Sequence, residues 1–467
     1  MQFKTQISID DQNGKTITED IIKLDRSAVD EGLVGISLSE SKQLLKQLQQ
    51  VIVNQQASRY TSNHRNCIHC NKIRRIKGSY DIQYRTLFGT VVVQNLRLYH
   101  CQCTEQSTKT FSVLNNWVSD HNSPELRYIE TKWSSLMSYG MTVDLLKDVL
   151  PINEGLNAET VRQHLHKTAK RQEEQLKSQP RFISGCQNEW AKLPKPDKPL
   201  TVGIDGGYVR DCKKRKTNFE VIVAKSFSKT EESKRLGFVQ KLDKQPERRL
   251  MRMLQAQGLQ ANQQITFLSD GADNVRELQY LMHPDSEHIL DWFHITMRLT
   301  VLTQFAKGLT QSDPKQGQVI TKDLDSTKWY LWHGNTEKAL DKLEDCYLTL
   351  EYEEITYMNC KKFLKHLKEM DTYIQNNSHL IPNYGEKYRY GETITTAFVE
   401  STVNEVIAKR MVKKQQMQWS HEGAHALLQT RTAVLNGELR GCFESWYPEM
   451  RDRSIDDKFN FSNKKAA

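Results

Sequence analysis

Apolar positions along the chain change period several times, and each change marks an expected element. Leu38, Leu44, Leu45, Leu48 and Val51 recur at helical spacing, so SLSESKQLLKQLQQVIVNQQ reads as a helix with Ser39 or Ser41 as its N-cap. The residues ahead of it mix short strand-like pieces with acids. From Tyr80 to Cys103 the period shortens: DIQYRTLFGTVVVQNLRLYHCQC holds two β-rich runs about a Phe-Gly turn and reads as a hairpin. Helical spacing returns over 124–178, first with Leu126, Ile129, Trp133, Leu136 and Met137. MTVDLLKDVL then precedes a break at Pro151-Ile-Asn-Glu-Gly155, and LNAETVRQHLHKTAKRQEEQL follows it. Two amphipathic helices around such a break make a helix-turn-helix, with Asn157 capping the second and Arg162, His166, Lys170 and Arg171 along its polar side.

Pro194, Pro196 and Pro199 mark a linker, and the texture changes after it. LTVGIDGGYV, NFEVIVAKSF and LGFVQKL read as three consecutive strands, followed by a helix at PERRLMRMLQAQGL. ITFLSD is then a strand, NVRELQYLM a helix and HILDWFHI another strand. This β-β-β-α-β-α-β order predicts an α/β domain with an RNase H-like core, an antiparallel meander joined to parallel strands through helical crossovers. About a hundred residues of helical pattern come next, more than the core needs, and read as an all-α insertion. A last helix, TTAFVESTVNEVIAKRM, closes the fold.

Composition narrows the class. No apolar run approaches the roughly 20 residues of a membrane helix, and MQFKTQISIDDQ lacks the basic-then-apolar order of a signal peptide. A soluble protein of the cytoplasm, with no membrane partner, is expected. Lys plus Arg number 66 against 57 Asp plus Glu, a net charge of +9, which favours polyanionic partners. The basic excess concentrates in residues 51–100, where Arg59, Arg65, Lys72, Arg74, Arg75, Lys77, Arg85 and Arg97 face one acid, Asp81.

Two clusters carry candidate chemistry. Four of the nine cysteines form close pairs, Cys67-x-x-Cys70 and Cys101-x-Cys103, separated by the hairpin. Four thiolates from a knuckle and a hairpin end suit one structural Zn²⁺ ion, with His64, His69 or His100 near enough to replace a ligand. Such a ribbon presents Arg65, Lys72, Arg74, Arg75 and Lys77 to phosphates. The second cluster is a set of acids. Asp205 ends an apolar strand before two glycines, Asp270 ends the first parallel strand, and Glu400 lies on the last helix. There Val399, Val403 and Val406 pack inward, while Glu400 and Asn404 share an i,i+4 edge toward the cleft. Three carboxylates with open positions suit two Mg²⁺ or Mn²⁺ ions and phosphodiester chemistry. An Asp before Gly is also an ordinary turn former, and Asp273 or Asp291 competes for the second role. Past Glu400, Lys409, Arg410, Lys413, Lys414, Gln415 and Gln416 extend the helix with a basic patch placed to hold DNA.

GIDGGYV, LSDGADNVRELQYLM followed by DWFHITMRL, and TAFVESTVNEVIAKRMVKKQQMQWSHEGAHALLQTRTAVLNGEL resemble the catalytic blocks of DDE transposases from bacterial insertion sequences. They span roughly residues 200–440, and their arrangement is similar to that of Mutator-like members with a helical insertion. The resemblance implies that Asp205, Asp270 and Glu400 are the catalytic triad and His294 an accessory histidine. It also implies strand cleavage at terminal inverted repeats of double-stranded DNA and transfer of a 3′ end to target DNA. A homodimer or larger synapse follows from joining two ends in one event. The divisions expected are a helical segment over 1–60, a zinc ribbon over 61–110, a helix-turn-helix region over 111–190 and a linker over 191–199. The core then runs over 200–295, the insertion over 296–392, and the final helix with a basic tail over 393–467. A silent or domesticated DNA-binding regulator, or a stand-alone nuclease of the same fold, are the competing functions.

Overall fold

The computed structural model describes residues 1–10, 16–26, 34–103, 109–118, 120–152, 155–181, 185–194, 199–214, 217–227, 232–271, 278–279, 282, 286–352, 356–412 and 417–451; the side chains of residues 187, 397, 398, 400 and 412 also lie outside the description. The chain is a mixed α/β protein of two compact units, Met1–Thr168 with Gly437–Ala467, and Ala169–Asn436. None of its described helices is long and apolar enough to cross a membrane.

The first unit opens with an antiparallel hairpin, β1 (Gln2–Asp10) and β2 (Thr16–Asp25), followed by α1 (Leu38–Asn63). The cap of α1 is Ser37, ahead of the expected Ser39 or Ser41. Its hydroxyl accepts from the Glu40 amide and the Glu40 carboxylate accepts from the Ser37 amide, so a complete capping box fixes the start. The expected hairpin is β3 (Ile76–Thr86) and β4 (Gly89–Tyr99), with β5 (Thr110–Ser112) on the outer side of β4. Val53 and Ala57 of α1 pack against Ile82, Val91 and Val93 of this sheet. Three helices follow, α2 (Pro124–Leu136), α3 (Tyr139–Val149) and α4 (Ala158–Leu176), the last of which belongs to the second unit from Ala169 onward. Asn157 caps α4 as expected, its Oδ1 accepting from the Thr160 amide at 2.9 Å.

The second unit is built on a five-stranded sheet. Strands β6 (Leu200–Arg210), β7 (Asn218–Phe227) and β8 (Arg235–Val239) form an antiparallel meander, and α5 (Pro246–Ala256) leads to β9 (Ile265–Ser269), which pairs parallel to β6. Strand β10 (Glu287–Leu290) adds parallel to β9, giving the order β10-β9-β6-β7-β8. The helix expected between β9 and β10 falls largely outside the described residues. Leu200, Val202 and Ile204 point one way, into a core with Leu250, Met253 and Leu254 of α5. Asp205 and Gly207 therefore face the other way, because successive strand residues alternate.

A helical bundle occupies the expected insertion and begins a few residues early: α6 (Trp292–Ser312), α7 (Pro314–Trp332), α8 (Thr336–Tyr352), α9 (Cys360–Asn377) and α10 (Tyr384–Arg389). Its core is continuous with Leu268, Ile289 and Leu290 of the sheet. The expected closing helix is two pieces, α11 (Ala397–Val403) and a π-helical run over Asn404–Val412, before α12 (His421–Leu435). The winding changes at Asn404, and the side chain of Glu400, expected to share an edge with it, lies outside the description. Arg431 of α12 serves the widened turns, donating to the Val406 carbonyl at 3.0 Å and the Glu405 carbonyl at 2.6 Å. Gly437 and the helix after it, α13 (Leu439–Trp446), belong to the first unit, where Arg440 pairs with Glu125 at 2.8 Å.

Candidate metal centre and candidate active site

Cys67, Cys70, Cys101 and Cys103 bring their sulfurs within 4.8 Å of one another and can hold a metal ion. The knuckle at Cys67 is closed by its amide bonding to the Lys72 carbonyl at 2.9 Å, with Asn71 at φ 55°. The Cys67–Cys103 and Cys70–Cys101 sulfurs are 3.4 and 3.3 Å apart. Four thiolates at about 2.3 Å from a tetrahedral zinc stand about 3.8 Å from each other, so a small expansion accommodates that ion. The amides of Cys70 and His69 hold the Cys67 thiol down to about 6, which prepares the thiolate a metal needs. The Cys103 thiol keeps its proton as the donor to the sulfurs of Cys101, Cys67 and Cys70, which pushes it up to about 12. Among the described residues this is the only group of three or more Cys, His, Asp or Glu side chains so tightly gathered.

The basic residues around it have different roles. Arg74 donates to the carbonyls of His64 and Asn66, both at 3.0 Å, and its guanidinium lies 5.1 Å from the Phe111 ring centroid, so it holds the knuckle together. Arg65, Lys72, Arg75 and Lys77 are exposed. On α4, Arg162 is paired with Glu159 at 2.6 Å, Lys170 is exposed and Arg171 is half-buried.

The acids of the second unit depend on strand register. β6 pairs with β9 as far as Gly203 and Leu268; Asp205 and Asp270 each lie two residues past that last pair, and the Asp270 charge acts on Asp205. The expectation that Asp205 ends its strand is corrected here. The β6–β7 ladder continues to Arg210, and Asp205 sits mid-strand where only the β9 pairing stops. Its two glycines serve close packing within a strand. A Cβ on Gly207 would come 2.6 Å from Ile407 Cδ1 and 3.3 Å from Val403 Cγ1, so α11 and the π-helical run lie on the face that Asp205 shares. That helix carries Glu400, whose side chain lies outside the described residues, as do Lys413 and Lys414. Burial raises the Asp205 carboxyl above its ordinary range; the Gly206 amide and His294 work against this, and Asp270 and Asp291 add to it.

Of the competitors for the second acidic role, Asp273 lies outside the described residues. Asp291 is fully buried with both oxygens engaged. It caps α6 through the Phe293 amide at 2.9 Å, accepts the Thr396 amide at 3.0 Å and accepts the Thr396 hydroxyl. Asp270 is exposed, on a turn held by the bundle. Tyr373 Oη of α9 donates to the Asp270 carbonyl at 3.1 Å. Gly271, at φ 90°, packs so closely on Asn377 of α9 that a Cβ would fall on the Asn377 amide oxygen. His294, one turn into α6, lies 3.6 Å from Asp291. Asn404 is half-buried at the start of the π-helical run, and Lys409 is exposed. Arg410 is only 3% exposed, its guanidinium 5.2 Å from the Trp419 ring centroid, and so it is not part of a surface patch.

Sequence reasoning passes over Tyr373 and two further residues here. Glu220 of β7 has its carboxylate raised by burial and then by the charge of Asp270, and a Cβ on Gly206 would come 2.9 Å from its Oε1. Arg298 of α6 lies with its guanidinium 4.2 Å from the Tyr373 ring centroid. Only Arg298 leaves a signal, its four-residue spacing from His294 on a helix. Comparison with known proteins adds no relative: no protein-family model matches the chain, and no curated protein matches it.

Proposed function

We propose that the chain is a DDE-type DNA transposase, cleaving DNA at transposon ends and transferring the 3′ end to target DNA. The observation that carries this reading is the β6–β9 pairing, which ends two residues before Asp205 and Asp270 and leaves the Asp270 charge acting on Asp205, while the helix bearing Glu400 packs on the Asp205 face. With its strand order, the second unit is then an RNase H-like core with a helical insertion. Burial raises the Asp205 carboxyl and the charges of Asp270 and Asp291 add to it, so a cation among these groups is favoured, and an all-oxygen donor set suits Mg²⁺ or Mn²⁺. Asp205, Asp270 and Glu400 would hold such ions, which supply Lewis acidity at the scissile phosphate. Asp291 fixes the start of α6 and so the position of His294, and the Tyr373 bond fixes the turn of Asp270. In the first unit, the four cysteines are the zinc ligands of a ribbon, and α3 with α4 form a helix-turn-helix that reads the ends. Joining two ends calls for a homodimer or larger synapse.

The test is nicking of a duplex carrying the DNA that flanks the gene, with Mg²⁺ or Mn²⁺ present. Wild type should cleave and Asp205→Asn should not. Equal cleavage by both, or by neither, defeats the assignment.

A further inference from the structure

We infer that Arg298 is a phosphate-binding residue of the carboxylate cleft, through which the helical bundle holds a nucleic-acid backbone phosphate beside Asp270. The inference rests on the phosphodiester reading above and gives the bundle a part in substrate binding.

Arg298 follows His294 by four residues on α6, so the two project from one side of that helix, one turn apart. His294 reaches the acids: its Nε2 lies 3.6 Å from the Asp291 carboxylate. Arg298 reaches Asp270 through Tyr373. Its guanidinium lies 4.2 Å from the Tyr373 ring centroid, and the Tyr373 hydroxyl donates to the Asp270 carbonyl at 3.1 Å. The Tyr373 phenol is pushed up by burial first, while the Arg298 charge lowers it and the charges of Asp270 and Asp291 raise it, which places all four groups in one neighbourhood.

The chemistry of the location explains the choice of residue. The carboxylates of Asp205, Glu220 and Asp270 repel an incoming phosphodiester unless cations offset them. Packing on an aromatic ring fixes the guanidinium plane and removes much of the ordering cost, while the residue as a whole stays exposed. A planar fork held this way suits two oxygens of a phosphate. Its distance from Asp270 is also constrained. Tyr373 and Asn377 stand one turn apart on α9, linked by the Asn377 amide donating to the Tyr373 carbonyl at 2.9 Å, and both touch the Asp270-Gly271 turn. Cation and acid are therefore carried by one packed assembly.

The competing role is a simple cation–π tie between α6 and α9, and the salt dependence of binding separates the two. Affinity is measured by fluorescence anisotropy over a range of salt, on a labelled duplex carrying the DNA that flanks the gene and on an unrelated duplex. All proteins carry Asp205→Asn so that no cleavage intervenes. Arg298→Gln should weaken binding to both duplexes by about tenfold or more, the loss of one charged hydrogen-bonding contact. The plot of log affinity against log salt should become shallower by about 0.9. Arg298→Lys, which keeps the charge, should restore the slope. If Arg298→Gln does not fold, Arg298→Met, which keeps the stem against Tyr373, replaces it. An unchanged slope with a lowered melting temperature overturns the inference and leaves the phosphodiester reading standing. A parent protein that binds neither duplex overturns both.

Discussion

Replacing Gly271 by alanine tests whether the bundle holds the turn of the second acid. Two costs can be worked from the structure. At φ 90° the backbone lies in a region that disfavours any Cβ, which costs about 1 kcal/mol. The new Cβ would also fall on the Asn377 side chain, 2.8 Å from its Cγ, and stand 3.0 Å from Leu290 Cδ1. Asn377 is 7% exposed and its amide donates to the Tyr373 carbonyl at 2.9 Å, so moving it breaks a nearly buried bond at about 1 kcal/mol more. The sum is about 2 kcal/mol, or a fall of roughly 4 to 8 °C in the melting temperature of a unit this size. Gly258 is the internal control. It has a similar φ of 82° and nothing within 4 Å of where a Cβ would stand, so Gly258→Ala incurs only the backbone cost, roughly 2 to 4 °C. Calorimetry on the full chain compares the two variants. Equal losses would mean that Asn377 yields freely and that α9 does not clamp the turn.

Three further outcomes are expected. Asp205→Asn should abolish metal-dependent nicking without lowering the melting temperature, because it removes charge from a crowded group whose carboxyl is already raised. Metal analysis of the purified protein should find one zinc per chain, lost in Cys70→Ser together with part of the first unit's thermal stability; a full zinc complement in that variant refutes the ligand set. Acid should weaken the second unit through Glu173. Burial works against its charge, yet the His425 hydrogen bond and Arg249 outweigh this and hold its carboxyl at about 2, below the ordinary 4.5. A lowered folded value means the contribution, about 3 kcal/mol, is complete above 4.5 and disappears as pH falls toward 2. Urea midpoints for Glu173→Gln should therefore converge on wild type over that window, and a pH-independent difference counts against it.

What can be read from the sequence is local. The cysteine pairs sit within a few residues of each other, and the strands of the sheet are apolar runs between obvious breaks. Asn157 directly precedes the helix it caps. Ser37 escapes a count that starts from the leucines at Leu38, although Ser37-x-x-Glu40 is itself a capping box. The Gly206-Gly207 pair has the composition of a strand end. It is instead a smooth patch in a continuing strand, a distinction that depends on Ile407, two hundred residues away. Ideal helical spacing does not anticipate the π-helical run from Asn404, whose Glu405 and Val406 carbonyls accept from Arg431. Arg298, Tyr373 and Asn377 meet Asp270 only through packing of the bundle, and Arg410 turns inward onto Trp419 through tertiary packing of the same kind.

The position of the bundle in the chain also bears on how the protein is made. Gly207 and Gly237 leave hollows on one face of the sheet that Val403, Val406, Ile407 and Leu428 fill, and Gln429 bonds the Gly237 carbonyl at 3.0 Å. All of these emerge from the ribosome after the whole bundle. At roughly 5–20 residues per second, that face stays uncovered for on the order of ten seconds after β10 is complete. The bundle, made of neighbouring helices with short connections, can form during that interval and shield the β9–β10 edge it packs on. A nascent chain stalled within the bundle would present the bare meander face.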